Sequence, residues 1–319
     1  MKKRILVTGG EGFIGSHLID RLISIGFDTA SFDAHLNFID NHRYFNRCFK
    51  LRKKHLKVSS KIYRGDIRNK ESIQRVVADF SPEVVVHLAA LPMARVSEKY
   101  HHDMRTINLD GTLNVLEVFE QSQARKIIYT SSSMAYGHFK QTPIAENNLL
   151  TPENLYGATK AAGEYFVKLS KKDWVIIRPT SVYGFTDCSN RVTQLLIDTA
   201  ILKKPAWIIK GEILDFSYID DVVDGFIKCI TLPQAIGQTF NISKGEGRAV
   251  SEFAKLVKVY FPKFSYQIRK ADNHQVWRGS LDISKAKRIL GFTPKYRIEE
   301  GIQKILELIK EYNFYKGLN

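Results

Sequence analysis

The chain predicts an α/β fold, a doubly wound parallel sheet followed by a smaller C-terminal lobe. Three observations carry that expectation. Short apolar runs alternate with segments of helical period as far as Gly184. A glycine-spaced turn, Thr8-Gly9-Gly10-Glu11-Gly12-Phe13-Ile14-Gly15, follows the first apolar run, Ile5-Leu6-Val7. Beyond Gly184 the regular alternation lapses.

Taken in order, Ile5–Val7 is the first strand and Phe13–Ser24 the first helix, with Leu18, Leu22 and Ile25 at helical spacing. Asp28–Phe32 is the second strand and is followed by a basic insertion. Lys61–Tyr63 is the third strand, and a helix over Glu71–Asp79 starts near Asn69. Val84–Leu88, with Pro82 just ahead, is a buried strand. Ile107–Gln121 is a helix with Leu109, Leu113, Leu116 and Phe119 on one face. Ile127–Tyr129 is the fifth strand, Leu155–Ser170 a helix, and Trp174–Ile177 the sixth strand, stopped by Pro179. Such alternation implies a parallel sheet covered on both faces. Further on, Val192–Leu202 is a helix, Ala206–Ile209 and Phe216–Ile219 are extended, and a helix lies near Val222–Ile230. Phe240–Ile242 returns to the sheet, and Val250–Phe261, Ile283–Leu290 and Ile298–Tyr312 are helices.

The glycines at 9, 12 and 15 have the spacing of a Rossmann strand-to-helix turn that carries the pyrophosphate of a dinucleotide. The anion then lies at the helix N-terminus, where free N–H groups and the positive end of the helix dipole meet it. Asp33, at the end of the second strand, stands where an acid accepts the adenosine ribose. Residues 1–184, with roughly 212–245 returned to them, are thus the dinucleotide domain. Residues 185–211 and 246–319 form the smaller, substrate-binding lobe over the C-terminal edge of the sheet, the edge at which ligands of such folds bind.

Composition narrows the class. With 44% hydrophobic and 25% charged residues, the 319-residue chain reads as an ordinary globular protein. No apolar run approaches the roughly 20 residues a membrane span needs. The start, Met1-Lys2-Lys3-Arg4, precedes too short an apolar run for a signal peptide. Cys48, Cys188 and Cys229 are odd in number and lack CxxC spacing, which suggests reduced thiols in the cytoplasm. His17, His35, His42, His55, His101, His102 and His138 lack metal-ligand spacing, so no metal is expected. The net charge of +15 is unusual. Much of it falls in residues 43–70, where Arg43, Arg47, Lys50, Arg52, Lys53, Lys54, Lys57, Lys61, Arg64, Arg68 and Lys70 face only Asp66. Such a run attracts anionic partners. Phe45, Phe49, Leu51 and Leu56 are interspersed as in a packed amphipathic segment, and no nucleic-acid motif accompanies them, so a solvated structural face is the preferred reading.

Tyr156-Gly157-Ala158-Thr159-Lys160 opens the helix after the fifth strand, and residues at i and i+4 share a helix face. A phenol is a poor base at neutral pH, but a neighbouring cation favours its phenolate. Ser132, at the serine-rich end of the fifth strand, can bond the same substrate oxygen. Together Ser132, Tyr156 and Lys160 describe a proton relay to a hydroxyl that loses hydride, or to a carbonyl that gains it.

With these motifs the chain resembles the extended short-chain dehydrogenase/reductase family, in its nucleotide-sugar epimerase/dehydratase branch. The marks are TGGEGFIGSHL at 8–18, Asp33, Gly65-Asp66-Ile67, His87-Leu88-Ala89-Ala90 and Asn108-Leu109-Asp110-Gly111-Thr112. SSSMAYG at 131–137, YGATK at 156–160, RPTSVYG at 178–184, DFSYIDDVV at 215–223, and Leu281-Asp282-Ile283-Ser284-Lys285 through Leu290-Gly291-Phe292-Thr293-Pro294 complete them. The resemblance implies that Gly9, Gly12, Phe13, Ile14 and Gly15 meet the pyrophosphate, Phe13 and Ile14 through backbone donors. Asp33 would favour NAD over NADP, although a nearby arginine folding back could host the extra phosphate. Asp66 and Ile67 would flank adenine, Leu88, Ala89, Ala90 and Asn108 would line the middle of the cofactor, and Lys160 would also bind the nicotinamide ribose. A homodimer through helices such as 107–121 and 155–170 is implied too, unless those faces are covered within the chain.

Two departures bear on the substrate. The family's asparagine before the Tyr-Gly pair is Ser181, and its diphosphate-binding arginine before Asp-Phe is Leu214. Arg191, Arg269 and Arg278 are the candidates to hold a diphosphate instead, since a guanidinium suits phosphate. Arg95 and Ser133 are candidates to reach the sugar, and Tyr183 to close over the nicotinamide. The position where the family's dehydratases carry an acid is Met134, which can neither protonate a leaving hydroxyl nor take a proton. The expectation is therefore an NAD-dependent nucleotide-sugar epimerase acting at C4 through a transient 4-keto sugar, on a nucleotide-diphosphate sugar. The alternatives are a nucleotide-sugar reductase or 4-dehydrogenase that exchanges its cofactor, and a non-catalytic binding protein that uses the basic stretch.

Overall fold

The computed structural model describes residues 2–38, 42–55, 61–92, 99–272 and 275–316. Seven strands form one parallel sheet: β1 (Arg4–Thr8), β2 (Asp28–Asp33), β3 (Lys61–Arg64), β4 (Val84–His87), β5 (Lys126–Thr130), β6 (Asp173–Pro179) and β11 (Gln238–Ile242). Their spatial order is β11-β6-β5-β4-β1-β2-β3. Neighbours pair in parallel, as in Val7 opposite Ser31 and opposite Val86. Order reverses at β1, so the crevice above the ends of β1 and β4 is the place where such sheets bind ligands.

Both faces are covered. One side packs α1 (Phe13–Ser24) against α8 (Ile219–Thr231), with Leu18, Leu22, Val222 and Phe226 fully buried between the sheet and these helices. The other side carries α3 (Lys70–Phe80), α5 (Gly111–Gln121) and α6 (Leu155–Lys168) over Val85, Ile127 and Ile176. The Asn69 side chain caps α3 by accepting from Ser72 N, and Asn154 caps α6 by accepting from Gly157 N.

The basic insertion is helix α2 (His42–His55), as its interspersed aromatics suggest. Its apolar stripe, Tyr44, Cys48 and Leu51, closes a small core with Phe185, Cys188 and Phe314. Lys57 and Leu56 lie outside the described residues. Helix α4 (His101–Arg105) runs into α5 through one π turn, Thr106–Asp110, so the expected start at Ile107 falls inside an irregular helix.

Outside the main sheet lie α7 (Val192–Ile201), α9 (Val250–Tyr260), α10 (Ser284–Leu290) and α11 (Ile298–Glu311) with short strand pairs. β7 (Val182–Tyr183) pairs with β10 (Ser217–Tyr218), β9 (Ile213–Asp215) with β12 (Gly247–Ala249), and β8 (Ala206–Ile209) with β13 (Tyr266–Arg269). Tyr266–Arg269 is not visible in the sequence pattern, because Gln267, Ile268 and Arg269 are all exposed and leave no buried alternation.

A buried ion pair joins α6 to the sheet. Arg178 on β6 donates Nε and Nη2 to the two Glu164 oxygens at 2.7 and 2.6 Å, and Ser131 Oγ donates to the same carboxylate. Arg178 Nη1 also donates to Tyr136 Oη at 2.7 Å, and Tyr136 donates to Asn241 on β11. Removing one member strands a buried charge. Glu164→Gln is expected to lower the unfolding free energy by roughly 3 kcal/mol in urea titrations. A loss below about 1 kcal/mol would contradict the pair's structural role.

Candidate active site

The phosphate-binding turn is shaped by close approaches. Gly9 has φ of +70°, and a Cβ there would lie 2.7 Å from the Ala89 backbone nitrogen. A Cβ on Gly15 would lie 2.2 Å from the Gly9 oxygen, so α1 rests directly on the turn. Gly12 caps α1 without a side-chain bond, which leaves the first-turn N–H groups of Phe13, Ile14 and Gly15 available to an anion. The Phe13 ring is buried, packed edge-on to His17, so only its backbone faces a ligand.

Asp33 is held in place by accepting from Glu11 N at 3.0 Å and His35 N at 2.7 Å. Each carboxylate oxygen keeps a second lone pair for a ribose hydroxyl. The arginines that could have received a 2′-phosphate are engaged elsewhere. Arg64 pairs with the buried Glu11 carboxylate, which Lys53 also approaches at 3.6 Å. Arg52 is itself buried, donating to Glu11 O at 3.0 Å and Thr186 O at 2.7 Å.

Asp66 and Ile67 are less open than expected. Asp66 accepts from Arg68 N and from its guanidinium at 2.7 Å. The Ile67 side chain is buried beneath Gly111, so only its backbone can border a base. Leu88, Ala89 and Ala90 are partly exposed beside the Gly9 turn. Asn108 is placed differently from the expectation that it lines the cofactor. It is buried, with Oδ1 accepting from Leu91 N at 2.8 Å and Nδ2 donating to Leu91 O at 3.2 Å and Thr159 Oγ1 at 3.2 Å. It positions the loop after β4 rather than offering a free group to a ligand.

Sequence reasoning missed the chain of bonds to which Asn108 belongs. Ala89 N donates to Thr8 Oγ1, which lies 2.7 Å from His87 Nδ1. His87 Nε2 lies 3.1 Å from Thr112 Oγ1, and that hydroxyl donates to Asn108 O. Since the Thr112 proton is committed to Asn108, His87 donates through Nε2 and accepts through Nδ1. Burial, and then the Lys160 charge, push His87 down to about 3, so the ring is neutral. From Asn108 the chain passes to Thr159 Oγ1, which donates to Tyr156 O at 2.8 Å.

The proposed catalytic groups converge. Ser132 opens a 3-10 turn (Ser133–Tyr136), accepting from Met134 N at 3.2 Å, and lies near Tyr156 in the first turn of α6. Burial holds the Tyr156 phenol above its ordinary range, while the nearby Ser132 hydroxyl and the Arg191 charge pull against it. Lys160 is buried, donates to Thr130 O at 2.9 Å and lies 5.9 Å from the centre of the Tyr156 ring. Lys160 therefore lies beside the Tyr156 ring, and the Arg191 charge also reaches the phenol, which the spacing of the sequence could not show.

Of the remaining candidates, Arg95 lies outside the described residues. Ser133 Oγ donates to Thr180 Oγ1 at 2.8 Å and is buried, so it is withdrawn from the crevice. Tyr183 is buried among Phe216, Tyr218 and Phe253, in the core shared with the sheet, so its ring is not free to close over a ligand. Arg269 is exposed and stacks on Trp207 at 5.0 Å. Ser181 has φ of +39°, and its buried Oγ has no partner. Arg278 Nε is likewise buried without a partner. Burial lowers the Arg278 guanidinium, Glu212 counters this, and the facing charge of Arg191 lowers it further. Arg191 itself is anchored to Val182 O at 3.1 Å and Asp187 at 3.5 Å. Among the described residues no cluster of His, Cys, Asp and Glu could hold a metal, and no helix is long and apolar enough to cross a membrane.

Comparison with known proteins agrees with this geometry. Residues 5–243 match the NAD dependent epimerase/dehydratase family. The chain is 28% identical to a UDP-glucose 4-epimerase of Mycolicibacterium smegmatis, over 96% of this chain and 98% of that protein. The fold matches a UDP-glucuronic acid 4-epimerase from Bacillus cereus, solved with UDP-glucuronic acid and NAD, at a TM-score of 0.86 and 28% identity, covering 97% and 99% of the two chains. A UDP-glucose 4-epimerase from Thermotoga maritima, solved with UDP-glucose, gives 0.86 at 27% identity with the same coverage. The chain belongs to the NAD-dependent epimerase/dehydratase family, within the extended short-chain dehydrogenases/reductases. It is an NAD-dependent nucleotide-sugar epimerase with a Rossmann fold.

The buried lysine yields a prediction about stability. Lys160 is lowered from 10.5 to about 7 by burial. Between those values the folded chain binds fewer protons than the unfolded one, so the residue's contribution is least favourable below the lower value and improves as pH rises. NAD-free Lys160→Met is therefore expected to melt above the parent near neutral pH, with the gap closing toward about pH 10. A gap that stays constant or widens in thermal unfolding would contradict the buried placement.

Proposed function

We propose that this protein is a UDP-hexose 4-epimerase that works through a transient 4-keto sugar. The carrying observation is that Ser132, after the C-terminal end of β5, comes together with Tyr156 and Lys160 in the first turns of α6, at the C-terminal edge of the sheet. NAD, when bound, supplies oxidation and re-reduction at one sugar carbon. The Tyr156 oxygen takes the proton of the substrate O4 as the carbonyl forms and returns it afterwards. Ser132 bonds that same oxygen and fixes its direction. Met134, partly buried against the core below α6, offers no acid for expulsion of a neighbouring hydroxyl, which favours epimerisation over dehydration.

The relatives named for UDP-sugars support the choice of nucleotide. Arg191 and Arg278, like charges turned to one another, supply the positive ground for a diphosphate, and the unpartnered Ser181 Oγ is a further donor. Leu214 is buried in the core, so a diphosphate would be met from a different direction than the missing arginine's. We place the protein in the cytoplasm, consistent with three free thiols.

The test is conversion of C4-epimeric sugars without added cofactor, across UDP-, GDP-, CDP- and dTDP-linked substrates. UDP-hexoses should interconvert. Net consumption of NADH with a keto sugar, and no epimer, would favour a reductase instead. Tyr156→Phe should keep NAD and the fold while turnover falls about 10²–10⁴-fold; a near-parental rate would remove the phenol from the mechanism.

We also propose a homodimer through α5 and α6. This pair of helices and the residue after it expose Leu113 (43%), Tyr165 (60%) and Leu169 (80%), large apolar side chains that a second copy would cover. Sedimentation should show a dimer that Tyr165→Glu/Leu169→Glu converts to a folded monomer. An unchanged dimer in that variant would place the interface elsewhere.

A further inference from the structure

We propose that Cys48 and Cys188 are a reversible oxidation site, two thiols held so that a hydroperoxide converts them to a disulfide between α2 and the loop after β7. Both side chains are buried in the same small core, between Tyr44, Leu51, Phe185 and Phe314. The two cysteines are neighbours there, each thiol in the field of the other. Arg52, one turn along α2 from Cys48, donates Nη2 to the Cys188 sulfur at 3.3 Å. The two thiols therefore share one small core, with the Cys188 sulfur facing a guanidinium carried by the helix of Cys48.

The polarity of this arrangement decides which thiol reacts first. The neighbouring Cys48 thiol, opposed by burial and reinforced by the Arg52 charge, draws Cys188 below the ordinary thiol range. Burial, and then the neighbouring Cys188, push Cys48 up. Cys188 is the nucleophile, since the thiolate is the reactive form. Its sulfur attacks one peroxide oxygen, the O–O bond breaks, and sulfenic acid and hydroxide result. The Cys48 sulfur then displaces the sulfenic oxygen, which leaves as water once the thiol proton is transferred. Two thiols and one peroxide thus give one disulfide and two waters. Hydrogen peroxide is scarcely larger than water, which suits a residue that is only 5% exposed.

The site also bears on the cofactor turn. Among the described residues, the acceptors of the buried Arg52 guanidinium are Glu11 O, Thr186 O, Thr186 Oγ1 and Cys188 Sγ. The disulfide removes the anionic character of the last of these. Arg52 is then held chiefly by carbonyls, and its grip on Glu11, in the phosphate-binding turn, weakens.

The test uses the full-length protein as purified, with hydrogen peroxide as oxidant and differential alkylation followed by peptide mapping. A linked Cys48–Cys188 peptide should form and disappear on addition of dithiothreitol. Cys229, buried on α8 with its thiol pushed up by burial, should remain a thiol and serve as the internal control. NAD affinity, read by fluorescence titration, should fall about tenfold in the oxidised form and recover on reduction. Cys48→Ser should send Cys188 past sulfenic acid to irreversible sulfinic and sulfonic acids. Oxidation of Cys229 in step with the pair, or Cys188 over-oxidised beside a free Cys48 in the parent protein, would overturn the proposal. Should Cys48→Ser fail to fold, mapping of the parent decides alone. None of these readouts involves turnover, so the proposal stands or falls separately from the epimerase reading.

Discussion

A single file of buried hydrogen bonds ties the cofactor turn to the catalytic helix, and the geometry of the site depends on it. It runs from Ala89 through Thr8, His87, Thr112 and Asn108 to Thr159 and the Tyr156 carbonyl. Each member is buried or nearly so, and an unsatisfied group in such a place costs about 1–3 kcal/mol. The file therefore has one low-energy arrangement. Through it, the ends of β1 and β4, the π turn before α5 and the first turn of α6 are locked to one another. Neutral His87 is central, because its ring must accept on one side and donate on the other.

The basic insertion has a comparable role on the far side of the cofactor turn. Its buried Arg52 and partly exposed Lys53 embrace Glu11, while Arg47 donates to the carbonyls of Tyr312, Asn313 and Phe314 near the C-terminus. Helix α2 thus bridges the phosphate turn, the loop leading to Arg191, and the end of the lobe. Its charges are consumed in large part by structure, which explains a basic run without a polyanion-binding motif. The same engagement leaves neither Arg52 nor Arg64 free beside Asp33 for a 2′-phosphate, which fits NAD.

Much of this was legible in the sequence because the signals were local. Strands β1 to β6 obey short apolar runs bounded by turns, and the glycine turn, Ser132, Tyr156 and Lys160 fall at fixed offsets from strand ends. What escaped depends on distance in space. Asn108 reads as a cofactor residue until the structure shows its amide spent on Leu91 and Thr159. Ser133 and Tyr183 carry the right chemistry at adjacent positions but are rotated into the interior, by a bond to Thr180 and by packing against three aromatic rings. The Arg191 charge acts on Tyr156 although the two sit on separate helices far apart in sequence. Strand β13 is short and exposed, and its partner β8 lies sixty residues earlier, beyond any pattern of neighbouring residues.

The central claim is that the hydrogen at C4 leaves and returns within this closed site while Tyr156 handles only the proton on oxygen. A UDP-hexose deuterated at C4, turned over in ordinary water with the NAD-bound protein, tests it most directly. The account predicts that the epimer keeps its C4 deuterium. Loss of that label to solvent would show that a base removes a proton from carbon, and would contradict the assignment.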